Sequence, residues 1–289
     1  NGIYLDGTFG RGGHAREILS SLGPTAKFIA FDKDQDAIDA ANQDPVFSDH
    51  RFSIKQCSFS EIKEVLTEAD LLGKVQGILL DIGVSSPQLD NAERGFSFMR
   101  NGPLDMRMDQ SKGIAAAEWL ETVDEKTLAE VLKMYGEERF APRIARAILS
   151  AQNQAPITTT GRLAEVVAAA NSYYEKGKHP ATRTFQAIRI FINNELEELK
   201  ECLEQCLDVL AIGGRLMVIS FHSLEDRIVK RFFKLHSKGE SIPRRLPVKE
   251  SQVKKRLKLL CKALKASDKE IRGNVRARSA ILRIAEKIS

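Results

Sequence analysis

The sequence predicts a doubly wound α/β domain on a parallel sheet, interrupted by a helical insertion. Three observations predict it. Between residues 3 and 81, four short apolar segments alternate with helix-patterned ones, the pattern of a parallel sheet with crossover helices. Residues 106–180 then carry no convincing strand, and strand patterns return at 216–220 and 279–284. The economical division is an α/β domain of residues 1–105 and 181–289, with an inserted all-helical domain over 106–180.

Taken in order, residues 3–6 read as the first strand, ending at Asp6 in a glycine-rich turn, Gly7 to Gly13. A helix over 14–21 places Ile18, Leu19 and Leu22 on one face. Residues 27–31 form the second strand, which stops at Asp32, and 37–41 open the next helix. The third strand covers 52–57, followed by a helix over 62–72 with apolar residues three and four apart. Residues 75–80 are an apolar run ending at Asp81, as expected of a strand covered on both faces. In the insertion, Thr122-x-x-Glu125 predicts a capping box for a helix ending near Tyr135, and 138–150 and 161–171 also pattern as helices. After His179-Pro180 a single long amphipathic helix is expected. Its stripe runs from Phe185 and Ile188 to Leu207 and Leu210, and it stops at Gly213-Gly214.

Composition narrows the class. With 43% hydrophobic and 29% charged residues, the chain reads as an ordinary globular protein. No apolar run approaches the roughly 20 residues of a membrane span, and no signal-peptide pattern opens the sequence. None of the four cysteines forms a C-x-x-C pair, which fits reduced thiols in the cytoplasm. His, Asp and Glu show no metal-ligand spacing, so no metal is expected. Charge is uneven: residues 226–289 carry a net +14 and the remainder −9, so the last quarter is where a polyanion would bind.

The stretch Asp6-Gly-Thr-Phe-Gly10-Arg-Gly12-Gly13 is the most informative for cofactor binding. It joins a strand to a helix at the carboxyl edge of the sheet, where such folds hold ligands, and glycines let backbone approach them. Asp32, 20 residues after Gly12, can take both hydroxyls of an adenosine ribose. Two cofactors fit. Gly10-x-Gly12-x-x-Ala15 satisfies the dinucleotide pattern, which alone is a weak signal. The same stretch is similar to the first motif of class I methyltransferases, and an acidic residue before the turn suits a cationic methionine end better than a pyrophosphate. Tyr174-x-x-x-Lys178 matches a short-chain dehydrogenase spacing, but Gly177 and Pro180 make it a loop and a chance match. S-adenosylmethionine is therefore favoured over NAD.

After the fourth strand, Asp81-Ile-Gly-Val-Ser85-Ser86-Pro87-Gln88 occupies the place of acceptor-handling residues. An exocyclic amine is a poor nucleophile because its lone pair is delocalised into the ring. An oxygen acceptor on one of its protons frees that lone pair. Asp81 is the first candidate for this role; Ser86, which with Pro87 partly echoes the amino-methyltransferase motif, is the second.

Several longer motifs resemble the RsmH (MraW) family of ribosomal RNA cytosine-N4 methyltransferases. They are the stretch from Asp81 to Asp90, Glu93-Arg-Gly-Phe-Ser-Phe98, Gly102-Pro-Leu-Asp-Met-Arg-Met-Asp109, Tyr135-Gly-Glu-Glu-Arg139, His179-Pro-Ala-Thr-Arg183, Ser220-Phe-His-Ser-Leu-Glu-Asp226 and Arg276-Ala-Arg-Ser279. The resemblance implies a class I, Rossmann-like fold with an inserted helical domain, S-adenosylmethionine as donor, and a cytidine in the decoding region of small-subunit (16S) RNA as acceptor. It implies cofactor contacts at Gly12, Gly13, His14, Asp32, Phe59, Asp81 and Gln88. The family's short apolar helix before the first strand has no counterpart in these residues.

Further candidates come from residue type. Phe96 and Phe98 could stack on a flipped base or pack in a core. Arg94, Arg107, Arg183, Arg276 and Arg278 are candidate phosphate contacts, each weighed against a structural salt bridge. His222, at the carboxyl end of the fifth strand, is expected on the substrate side. Two other functions stay open: a nucleotide-linked oxidoreductase, and an RNA-binding module without activity. Self-association to a homodimer is also left open.

Overall fold

A computed structural model describes residues 1–171, 179–238 and 255–289. The Tyr174/Lys178 spacing and the basic residues within 239–254 lie outside the described residues. The chain forms two compact units: Asn1–Gly83 with Leu196–Ser289, and Val84–Glu195.

The first unit is built on one sheet of eight strands. They are β1 (Ile3–Asp6), β2 (Lys27–Asp32), β3 (Phe52–Gln56), β4 (Val75–Asp81), β5 (Leu210–Ser220), β6 (Leu257–Leu259), β7 (Leu264–Lys265) and β8 (Ile281–Lys287). The order is β3-β2-β1-β4-β5-β8-β6, with β7 also on β8. The first five strands are parallel and β8 runs antiparallel to β5. Succession reverses between β1 and β4, the point at which open α/β sheets leave a crevice for ligands.

Side chains alternate across this sheet because successive strand residues face opposite ways. Phe28 and Ala30 join a core with Ala15 and Leu19 of α1 (Gly13–Ser21) and Ala37 and Ala41 of α2 (Gln35–Gln43). Leu5 and Phe31 join the opposite core. It contains Ile62 and Leu66 of α3 (Ile62–Glu68), Leu203 and Leu207 of α10 (Glu195–Val209), and Val229 and Phe233 of α11 (Ser223–Lys238). The last described helix of this unit, α12, spans Asp268–Gly273.

The second unit is helical: α4 (Ser86–Asp90), α5 (Ala116–Thr122), α6 (Glu125–Gly136), α7 (Ala141–Gln154), α8 (Thr160–Ala170) and α9 (Thr182–Ile192). Its own core gathers Leu104, Trp119, Leu128, Leu132, Ile144, Ile148, Leu163, Phe185 and Ile188.

Several expectations change. The helical unit begins at Val84 rather than residue 106 and runs to Glu195 rather than 180. Phe96 and Leu104 at one end, and Phe185 and Ile188 at the other, complete its core. The long helix expected after Pro180 is two helices, broken at Asn193-Asn194. Asn194 is left-handed (φ 51°), and the Asn193 side chain accepts from the Met108 N–H and donates to the Met106 carbonyl. Thr122 ends α5, and the N-cap of α6 is Asp124, whose carboxylate accepts the Thr127 N–H. Gly213-Gly214 lies inside β5 where its register on β4 shifts. A Cβ on Gly214 would stand 2.8 Å from the Val75 carbonyl, so the glycine serves close strand approach there.

Candidate active site

At the carboxyl edge of the sheet, four acidic or histidine side chains come together from separate elements of the first unit. Asp6 ends β1, Asp32 ends β2, Asp81 ends β4, and His14 stands in the first turn of α1. The turn that carries them is braced from below. Gly10 adopts a left-handed conformation (φ 57°) and its N–H donates to Asp32 Oδ2 at 2.7 Å. The other oxygen, Oδ1, accepts the Asp34 N–H at 2.9 Å. Asp32 is therefore a structural clamp on the turn before any ligand is considered, and burial raises its pKa.

The glycines divide their work. Gly12 is left-handed (φ 70°), and a Cβ on it would fall 2.5 Å from the Phe47 ring and 2.7 Å from that of Phe9. Gly12 is thus demanded by packing beneath the turn. At Gly13 a Cβ would meet nothing within 4 Å, so its backbone is open. Helix α1 starts there without a side-chain cap and without an acidic residue in its first turn, which leaves its positive end facing outward.

Asp6 is 1% exposed and accepts the Thr8 N–H at 3.0 Å. Burial pushes its pKa up to about 7, against the lowering by the Thr8 amide and His14; Asp81 and Asp32 push it further up. Asp81 Oδ2 lies 3.4 Å from His14 Nε2, and this contact holds the imidazole pKa above its usual value. Asp81 Oδ1 is buried and has no hydrogen-bond partner among the described residues. A buried carboxylate oxygen without a donor costs free energy unless a ligand supplies one. Phe59 follows β3 as the first residue of a short 3-10 turn held by a Ser58/Glu61 capping box, half-buried at the same edge.

His222 follows β5, but its ring is turned into its own helix. Nε2 lies 3.0 Å from Glu225 Oε1, and Nδ1 accepts the Glu225 N–H at 3.5 Å. Glu225 is fully buried, and its Oε2 accepts the Phe221 and His222 N–H groups at 2.8 and 3.1 Å. The histidine is thus part of a clamp at the start of α11. Sequence reasoning overlooked Glu225, although a glutamate at the third helical position reaching back to the N-cap backbone is one half of a capping box.

The remaining candidates belong to other elements. Ser86 and Gln88 belong to the helical unit. Ser86 is exposed, whereas Gln88 is buried and its Oε1 accepts the Ser85 N–H in a capping box of α4. Arg94 is not a surface cation: it is 4% exposed and donates to the Arg107 and Met108 carbonyls. Phe96, at 5% exposure, is core, which explains why it packs rather than stacks. Arg107 is paired with Asp105 through two bonds of 2.8 and 2.9 Å, and Arg183 donates to the Glu137 carbonyl. Arg276 and Arg278 are exposed on a 3-10 turn over Val275–Ser279, anchored by buried Ala277. Helix α12, just before it, brings Glu270 close enough to raise the His14 pKa slightly, a placement no sequence signal announced.

Open backbone at Gly13, an uncapped α1 N-terminus, a carboxylate after β2 and an orphaned carboxylate oxygen after β4 suit a cofactor with an adenosine ribose and a cationic amino-acid end. Sheet order and site together define a class I, S-adenosylmethionine-dependent methyltransferase. The MraW methylase family model matches residues 1–288, and the chain belongs to that family. Among solved structures it is similar to an rRNA methylase from Streptococcus thermophilus, at 10% identity, 100% of this chain and 88% of that one, with a TM-score of 0.44. It is also similar to a SAM-dependent O-methyltransferase from Thermotoga maritima, at 9% identity, 100% and 60% coverage and a TM-score of 0.40. A third is NSun6 from Pyrococcus horikoshii with SFG, at 12% identity, 100% and 48% coverage and a TM-score of 0.42. Among the described residues no helix is long and apolar enough to cross a membrane.

Proposed function

We propose that this methyltransferase modifies the N4 amine of a cytidine in the decoding region of small-subunit ribosomal RNA, in the cytoplasm. Membership of the MraW methylase family supports the reaction class. The observation that carries the amine reading is Asp81 Oδ1, a buried carboxylate oxygen at the ligand edge without a donor.

In this reading Asp32 and Phe59 hold the adenosine end of the cofactor, and Asp6, Gly13 and the start of α1 hold the amino-acid end. When bound, S-adenosylmethionine supplies an electrophilic methyl group on a sulfonium. Asp81 Oδ1 accepts a hydrogen bond from the N4 amine, which polarises the N–H bond, raises electron density on N4 and frees the lone pair for attack. As the N–C bond forms the methyl–sulfur bond breaks, its electron pair returning to sulfur to leave a neutral thioether; N4 becomes cationic, and its proton passes to Asp81 and on to solvent. His14 beside Oδ2 stabilises the Asp81 carboxylate beforehand. Alignment supplies the larger part of the acceleration, because the reaction is an in-line displacement. The helical unit recognises substrate, and the basic segment 226–289 with exposed Arg276 and Arg278 meets phosphates.

The test is methylation of purified small subunits and naked RNA with labelled cofactor, then mass mapping of the modified nucleoside. Label on cytidine N4 is expected; label on carbon-5 or on another base refutes the reading. Asp81→Asn should lower turnover much more than cofactor affinity, and equal losses would reassign Asp81 to cofactor binding.

A further inference from the structure

Thr8 sits in the glycine-rich turn, two residues after Asp6, and its side chain serves two strand ends at once. Its hydroxyl oxygen accepts the backbone N–H of Asp81 at 2.6 Å. The same hydroxyl donates towards Asp6 Oδ1 at 3.4 Å, beside the Thr8 N–H, which reaches that oxygen at 3.0 Å. A hydroxyl has one proton and two lone pairs, so both roles are filled together and the direction is set. The proton points to Asp6 and a lone pair to Asp81. On the far side of Asp81, Oδ2 faces His14 and Oδ1 is the orphaned oxygen. Asp6, Thr8, Asp81 and His14 thus form one continuous polar chain across the ends of β1 and β4, which lie side by side in the sheet.

We propose that Thr8 is a positioning residue for Asp81: by holding the Asp81 amide it fixes where the carboxylate stands at the end of β4. The proposal rests on the reading that Asp81 serves methyl transfer. On the β5 side the ladder still holds this end of β4, with the Ile82 N–H donating to the Ile219 carbonyl at 2.9 Å, but on the other side β1 has already ended at Asp6, and the Thr8 hydroxyl takes the place of a strand partner for the Asp81 N–H. Valine at this position keeps the shape of threonine and removes the acceptor. The Asp81 N–H then loses its partner, and the residue must shift to find another. Small displacements of a group that aligns a reaction cost rate steeply.

The experiment compares the full chain with Thr8→Val, Thr8→Ser, Asp81→Asn and the Thr8→Val/Asp81→Asn double variant. The first readout needs neither cofactor nor RNA: NMR titration of the His14 imidazole. Asp81 of β4, Asp6 of β1 and Glu270 of α12 all face that ring, with Asp81 the strongest influence. Asp81→Asn should bring the His14 titration down, Thr8→Val should move it the same way, and Thr8→Ser should leave it at the wild-type position. The second readout is single-turnover methylation. Thr8→Val should lose about tenfold or more, Thr8→Ser should stay within about threefold of wild type, and the double variant should be no slower than Asp81→Asn alone. If Thr8→Val does not fold, Thr8→Ala takes its place against the same serine control. The inference is overturned if Thr8→Val titrates and turns over like wild type, if serine falls as far as valine, or if the two losses add. An Asp81→Asn variant with wild-type turnover overturns the catalytic reading of Asp81 instead, even where Thr8→Val still moves His14.

Discussion

The raised pKa of Asp6 makes cofactor binding pH-dependent in a way that can be measured. Asp6 is almost fully buried, so solvent does not screen it, and the rise from 3.8 to about 7 corresponds to about 4 kcal/mol between its two protonation states. The sign follows from proton binding. Between pH 4 and 7 the folded protein holds a proton that the unfolded chain has lost, so stability falls as pH rises through that window. A cation placed beside Asp6 favours the ionised form and reverses this. At pH 6 only about one molecule in ten carries Asp6 ionised, so binding there forfeits about 1.4 kcal/mol that is recovered by pH 8. Affinity for S-adenosylmethionine should therefore rise about tenfold from pH 6 to 8, with a proton released. Isothermal calorimetry in two buffers of different ionisation enthalpy counts that proton. The ligand's own α-amino group titrates near 7.7–8.0, so the Asp6 part is the difference between wild type and Asp6→Asn. In thermal melts of the free protein, Asp6→Asn should also gain stability relative to wild type as pH rises from 4 to 8. Parallel affinity profiles for the two proteins, with equal proton release, would refute the placement of a cation at Asp6.

Three further outcomes rest on named contacts. Asp32→Ala leaves the Gly10 and Asp34 N–H groups without acceptors, so cofactor affinity should drop by about 1–3 kcal/mol and the melting temperature should fall with it; an unchanged dissociation constant removes Asp32 from the site. Glu225→Ala strips the Phe221 and His222 amides of their acceptor and should cost about 2–3 kcal/mol in urea unfolding, whereas a loss under about 0.5 kcal/mol would mean that the clamp on α11 is idle. RNA binding should weaken steeply with salt, and Arg276→Ala or Arg278→Ala should each flatten the log–log slope by about 0.7–0.9 without changing cofactor affinity; if both keep the wild-type slope, the RNA site lies elsewhere.

Strands β1 to β4, the turn between β1 and α1, and the residues at the strand ends were legible in the sequence, because each announces itself locally. A strand covered on both faces is apolar along its length, a turn needing left-handed backbone contains glycine, and the carboxylates directly follow the strands. Asp6, Asp32 and Asp81 could therefore be assigned to one edge from their order alone, and the uneven charge marked the last quarter of the chain. Tertiary structure decided whatever depends on partners distant in sequence. The helix break at Asn193 answers to the backbone at Met106 and Met108. β6 and β7 are too short to show a period and exist by pairing with β8. For Arg94 and Phe96 the sequence leaves a ligand contact and a structural role both open, and only the packing of the helical unit shows that both are buried. Thr8 is an ordinary turn residue until β1 and β4 are side by side, when its hydroxyl meets an amide 73 positions away. Sequence carries the period and the turn chemistry of each segment, but a hydrogen bond between segments is written in neither, and such bonds tie Asp32 to Gly10 and Asp81 to Thr8.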